Sequence, residues 1–146
     1  VNYTEQLSEG LAVVSTIDPQ LLDNATANGD YVDMSKFRRV MFVFAVGAID
    51  AVLDFSLREA QDTGGTGEAA ITGKAITQFT ATDDNKQAII EVAAEELSAG
   101  YRYVRPRVVG ADGAAGGQIV VIGLGGNARF SPASDNDLAS VAEIIV

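Results

Sequence analysis

The side chains of this chain that could do chemistry are carboxylates, hydroxyls, amides and basic groups, because it contains no histidine and no cysteine. That absence removes a thiol nucleophile, an imidazole general base, a Cys/His zinc site and a Ser-His-Asp triad. What remains falls into patterns that each miss part of a known site. Gly67 to Lys74 has the outline of a phosphate loop, in which backbone N–H groups cradle phosphate and a hydroxyl holds magnesium. Glu68 stands where the first glycine belongs and Ala75 where the hydroxyl belongs, so the segment reads as a hairpin turn. Gly123-Leu124-Gly125-Gly126 matches part of a dinucleotide fingerprint, but no helix start follows it. It reads as a turn after a buried strand. Asp83-Asp84-Asn85 and Asp135-Asn136-Asp137 offer oxygen ligands for calcium without the spacing of an EF-hand loop, and read as solvated turns. Asp50, Asp54 and Glu59 could pair for glycoside chemistry, but no tryptophan is present to platform a sugar. No cofactor or metal is expected, and the chain reads as non-enzymatic.

The basic residues are more informative. Net charge is −10, which disfavours nucleic acid and anionic membrane as partners. Residues 1–35 carry six acids and no base, and then Lys36, Arg38 and Arg39 arrive within four residues. Arg102, Arg105 and Arg107 form a second cluster. In a homo-oligomer the acidic arm of one subunit could meet the basic patch of another, since arginine pairs carboxylates bidentately and is common at interfaces; the alternative is that these residues pair within the chain or stay solvated. Tyr101, Tyr103, Arg105 and Arg107 share one face of a predicted strand and read as an interface stripe; the alternative is a face covered by the chain's own loop. These eight residues are the candidate protein-interface set.

The elements that must position them are strands. At 146 residues and 47% hydrophobic content the chain suits one core. Residues 1–10 read as a polar arm, followed by a strand from Leu11 to Ile17 that Asp18-Pro19 ends, and a long loop over residues 18–30. Tyr31 to Met34 reads as a short edge strand. Arg39 to Ile49 is apolar almost without a break, as in a strand covered on both faces. Leu53, Phe55 and Leu57 alternate with Asp54, Ser56 and Arg58, as in a half-buried strand. Asp50 lies between these two segments, which read as an antiparallel hairpin or as one long strand bent at Gly47. Ala69 to Thr80 reads as either helix or strand. Lys86 to Leu97 and Tyr101 to Val109 read as strands, the latter at an edge or bulged because Pro106 lacks an N–H. Gly110 to Gly117 is a loop, Gln118 to Leu124 a second buried strand, Gly125-Gly126-Asn127 a turn. Asp137 to Glu143 holds at most a helical turn or two, and Val141 to Val146 reads as a final strand. The sum is an all-β chain, an antiparallel sandwich or barrel-like fold of about seven or eight strands. An N-terminal arm and first strand occupy residues 1–30, and a single β-rich domain occupies 31–146. The longest apolar run is well short of the ~20 residues of a membrane helix. Residues 1–5 lack the basic and apolar regions of a signal peptide, which points to assembly in a cytoplasm.

Several segments in this order carry a family resemblance. They are Lys36-Phe37-Arg38-Arg39 ahead of an apolar strand, Ala60-Gln61-Asp62-Thr63-Gly64-Gly65-Thr66-Gly67, and Ile71-Thr72-Gly73-Lys74-Ala75-Ile76. Glu95-Glu96-Leu97 and Gly100-Tyr101-Arg102-Tyr103-Val104 follow. Over residues 31–125 the chain resembles small virion structural proteins of tailed bacteriophages, of the capsid decoration (cement) type. The resemblance implies a non-enzymatic protein on the outer capsid surface, bound to the major capsid protein and self-associated as a homotrimer. A tail or head–tail connector subunit and a virion-surface carbohydrate-binding module remain as alternatives.

Overall fold

Inward-facing residues recur with period 2 along most of the longer strands, and they build a single core between two antiparallel sheets. The computed structural model describes residues 4–111 and 116–146. Residues 1–3 of the N-terminal arm and 112–115 of the glycine loop lie outside the described residues. A short helix α1 (Leu7–Gly10) precedes β1 (Ala12–Leu22), β2 (Ala25–Asn28), β3 (Val32–Asp33), β4 (Phe37–Ile49) and β5 (Leu53–Ala60). Then come β6 (Ala69–Ala75), β7 (Gln87–Ala93), a 3-10 turn at Ala94–Glu96, β8 (Tyr103–Gly110) and β9 (Gly117–Ala128). One sheet has the order β1-β9-β4-β7. The other has the order β2-β8-β5-β6, with β3 also paired to β8. This is a β-sandwich. No described helix is long and apolar enough to cross a membrane.

Val40, Phe42, Phe44 and Val46 of β4 point inward and meet Leu53, Phe55 and Leu57 of β5 and Val104 and Val108 of β8 across the core. The Phe44 and Phe55 ring centroids are 4.9 Å apart, inside the range of favourable aromatic pairs. β4 and β5 are not a hairpin, because they belong to different sheets. The Asp50 junction carries the chain from one layer to the other.

Several sequence expectations change here, each for a local reason. β1 runs on through Asp18-Pro19 to Leu22, with a register shift between Ile17 and Gln20 that absorbs the proline. Residues 18–30 therefore hold the end of β1 and all of β2, and little loop. Ala69 to Thr80 resolves as strand β6, then an extended stretch in which Phe79 bridges to Leu53. Pro106 lies on an interior strand. β2 ends opposite Arg107 and β3 begins opposite Val104, so the strand beside β8 is interrupted at Pro106, where no N–H is offered. Gly29 fills that gap and donates its N–H to the Pro106 carbonyl at 3.0 Å. A Cβ on Gly29 would come within 2.6 Å of the proline ring.

The Gly123-Leu124-Gly125-Gly126 segment is not a turn either. β9 continues through it, and Gly123 and Gly125 face inward where Phe42 and Phe37 need room; an added Cβ would sit 2.7 Å from each ring. Residues 141–146 form no strand. Instead the segment before them lies along β1. Ala133 donates to the Glu9 carbonyl, Asn136 Oδ1 accepts from Val13 N–H at 2.8 Å, and Asp137 donates to the Val13 carbonyl. One turn follows, with the Val141 N–H bonded to the Asp137 carbonyl.

Candidate interaction surface

Among the described residues, no segment supplies the expected cover on the second face of β4. Met41, Val43 and Ala45 point away from the core and are only half-buried. Their register neighbours on β9 are Leu124, Ile122 and Val120, and Val43 also faces Ile89 on β7. Ile122 is 41% exposed and Ile89 61%. Leu11 extends this apolar field at one end, and Leu21 at the other, where Pro19, Ala45 and Val120 line a shallow groove. Across the outer faces of β9, β4 and β7 the charged residues are Arg39 and Glu91, and they neutralise each other at 3.1 Å. The outer faces of β9, β4 and β7 are thus apolar and without net charge on a chain of net charge −10, while β1 at the sheet's edge carries an exposed Asp18.

The eight predicted interface residues do not form one patch. Lys36 pairs with Asp135 at 3.1 Å. Arg38 is exposed and lines a polar groove with Lys36, Asn127 and Arg129. Arg39 points to the apolar face. Arg102 holds Asp33 through two bonds, at 2.7 and 2.5 Å, and its guanidinium lies 5.3 Å from the Tyr103 ring centroid. The Arg102 hydrogen bond, assisted by its charge and by Ser35, holds the Asp33 carboxyl at about 2. Tyr101 precedes β8 and donates its hydroxyl to the Gly67 carbonyl at 2.9 Å.

Arg105 and Arg107 do share a face, as their alternation implies, and the chain's own 61–68 loop reaches over it. Glu68 accepts from both arginines and from the Tyr31 hydroxyl. Burial raises the Glu68 pKa, but the hydrogen bond from Tyr31 and the charges of Arg105 and Arg107 outweigh it, so the net shift is downward. Burial and the bond to Glu68 raise the Tyr31 hydroxyl. Arg58, from β5, completes the group; its place on the polar side of an alternating strand was the sequence signal for it. Glu68 and Tyr31 had no such signal, because a loop fold-back has no period.

The other chemical patterns fall apart in space. Asp54 and Glu59 lie on opposite faces of β5. Asp54 accepts from Gln78, while Glu59 is buried and accepts from the Ser98 N–H and hydroxyl. Lys74 is on a strand, bonded to Glu96 and to the Glu91 carbonyl. Asp83 serves Thr80 and Lys86, and Asp84 accepts from Ile49 N–H. Among the described residues, no group of three or more acidic side chains is placed to hold a metal ion.

Fold and surface together define an antiparallel β-sandwich with one uncovered apolar face. No family model and no curated protein matches the sequence. Among solved structures the chain is similar to part of a chain in the structure of infectious bursal disease virus Gx strain. The match has 7% identity and a TM-score of 0.40, and covers 86% of this chain and 32% of that one. The chain thus spans about a third of the length of that neighbour.

Proposed function

We propose that this chain is a virion structural protein of the capsid decoration type, which binds the outer surface of a major capsid protein shell and stabilises it without catalysis. The observation that carries this reading is the outer face of the β1-β9-β4-β7 sheet. Its two central strands, β4 and β9, have the sequence of strands covered on both sides, and the described residues cover only one. Apolar area left open in this way gains about 25 cal/mol per Å² when a partner removes it from water. An acidic protein approaches a partner most cheaply through a face with no net charge. The order of segments resembling phage virion proteins supports the same reading. The proposed occupant of the face is the capsid subunit, and repeated weak contacts around the shell would add by multivalency. Self-association as a trimer belongs to the same proposal.

The test is thermal. Phage heads assembled without the protein should release DNA at lower temperature than complete heads, and added purified protein should restore the difference. Heads equally stable with and without it would end the decoration reading. Rings or tubes formed by the purified protein alone would favour a tail or connector subunit instead.

A further inference from the structure

Three guanidinium groups converge on one carboxylate on the outer face of the other sheet. Arg58 on β5 stands opposite Arg105 on β8, and Arg107 is the next outward residue of β8. Arg105 and Arg107 each bond one oxygen of Glu68, and Arg58 Nε lies 3.6 Å from Oε1. The Arg105 guanidinium also rests 4.6 Å from the Tyr31 ring centroid.

Neither charge nor donors balance there. Three cations face one anion, on a chain whose net charge is −10. A carboxylate offers about four acceptor positions, and Tyr31, Arg105 and Arg107 already use three on Glu68. The Nε atoms of Arg58 and Arg105 are buried and have no acceptor among the described residues. Arg107 Nε is occupied by Asn28 Oδ1 at 2.9 Å. The other outward carboxylate of β5, Asp54, is engaged by Gln78. All three arginines share the one Glu68 carboxylate, which leaves the cluster with an excess of two positive charges. All three side chains keep between 22% and 25% of their surface exposed, so the cluster meets solvent through those parts and not through the buried Nε atoms of Arg58 and Arg105.

We infer that Arg58, Arg105 and Arg107 form a binding site for a second oxyanion, of the carboxylate, sulfate or phosphate class. The guanidinium fork matches each of these groups bidentately. The oxyanion comes either from a free inorganic ion or from a carboxylate side chain on a partner protein. Such a site would exist whether or not the chain belongs to a virion.

Calorimetric titration of the purified chain with inorganic sulfate, inorganic phosphate and glutarate, each at fixed ionic strength against chloride, tests this. Low-millimolar concentrations keep the general stabilising effect of such salts out of the signal. Saturable one-to-one binding is expected, weakened about tenfold or more in Arg107→Gln by loss of a charge-assisted contact. Lys86→Gln, which removes the same charge from a distant turn, should bind as the parent does. Glu68→Gln removes the internal competitor and should bind more tightly, which tests the site even if Arg107→Gln fails to fold. Tighter glutarate than sulfate or phosphate would assign the site to a partner carboxylate, and the reverse order to an inorganic ion. No saturable binding of any probe, or equal affinities in the parent, Arg107→Gln and Glu68→Gln, would overturn the inference.

Discussion

Asp30 sits between β2 and β3 beside other acids. Burial raises its carboxyl pKa, a hydrogen bond and charge from Asp137 push the same way, and the charge of Asp18 adds to them. A carboxyl whose folded pKa exceeds its unfolded one contributes stability below the unfolded value and loses it as pH rises through the folded value. Asp30 therefore weighs against the fold at neutral pH. Asp30→Asn should raise the melting temperature near pH 7 and give no gain in acid, as read from thermal unfolding across a pH series. The Asp30 carbonyl, which accepts from Ser15 at 2.7 Å, is unchanged by that substitution. Asp33 has the opposite sign. Held at about 2 by Arg102, it stabilises the fold above the ordinary carboxylate range, and that contribution disappears as pH falls toward 2. Neither effect was legible in the sequence, since Asp30 meets Asp137 only after the chain has returned to β1.

At the scale of elements, period 2 was the readable signal for the cores of β5, β7 and β8, and unbroken apolar runs located those of β4 and β9. It failed where strands contain glycine or proline. A strand tolerates such residues when a neighbour needs the space or offers no hydrogen bond, and the neighbour is known only from the pairing. Gly123 looked like a turn for this reason and is in fact a socket for Phe42. Gly123→Val should cost about 1–3 kcal/mol by overpacking, measured by denaturant unfolding. A turn at this position would tolerate the change far better. Edge protection was equally hidden. The 133–137 segment pairs with the free side of β1 at Val13, where unpaired backbone groups would otherwise template another strand, and its polar composition read as plain loop.

The whole molecule presents two unlike outer surfaces. One sheet shows an apolar face with a single neutralised ion pair, and the other shows the arginine cluster over Glu68. A substitution that adds charge to the first face separates folding from binding. Ile89→Glu and Ile122→Glu are expected to change stability by about 1 kcal/mol or less, because both side chains are exposed. Under the proposed decoration role, each should nonetheless abolish attachment to capsid shells in a co-sedimentation assay. Retained attachment would move the docking surface elsewhere on the sandwich.

Residue types and their alternation were enough to establish an all-β chain with a large aliphatic and aromatic core, because inward and outward positions are written directly in a strand. They also identified Arg105 and Arg107 as neighbours on one face, for the same reason. Only the tertiary structure decided that β4 and β5 lie in different sheets, that Glu68 folds back onto three arginines, and that Met41, Val43 and Ile122 stay partly open among the described residues. Those outcomes depend on which strands pair and where loops return. Pairing is a contest among many apolar strands of similar composition, settled by packing across the core between residues far apart in the chain.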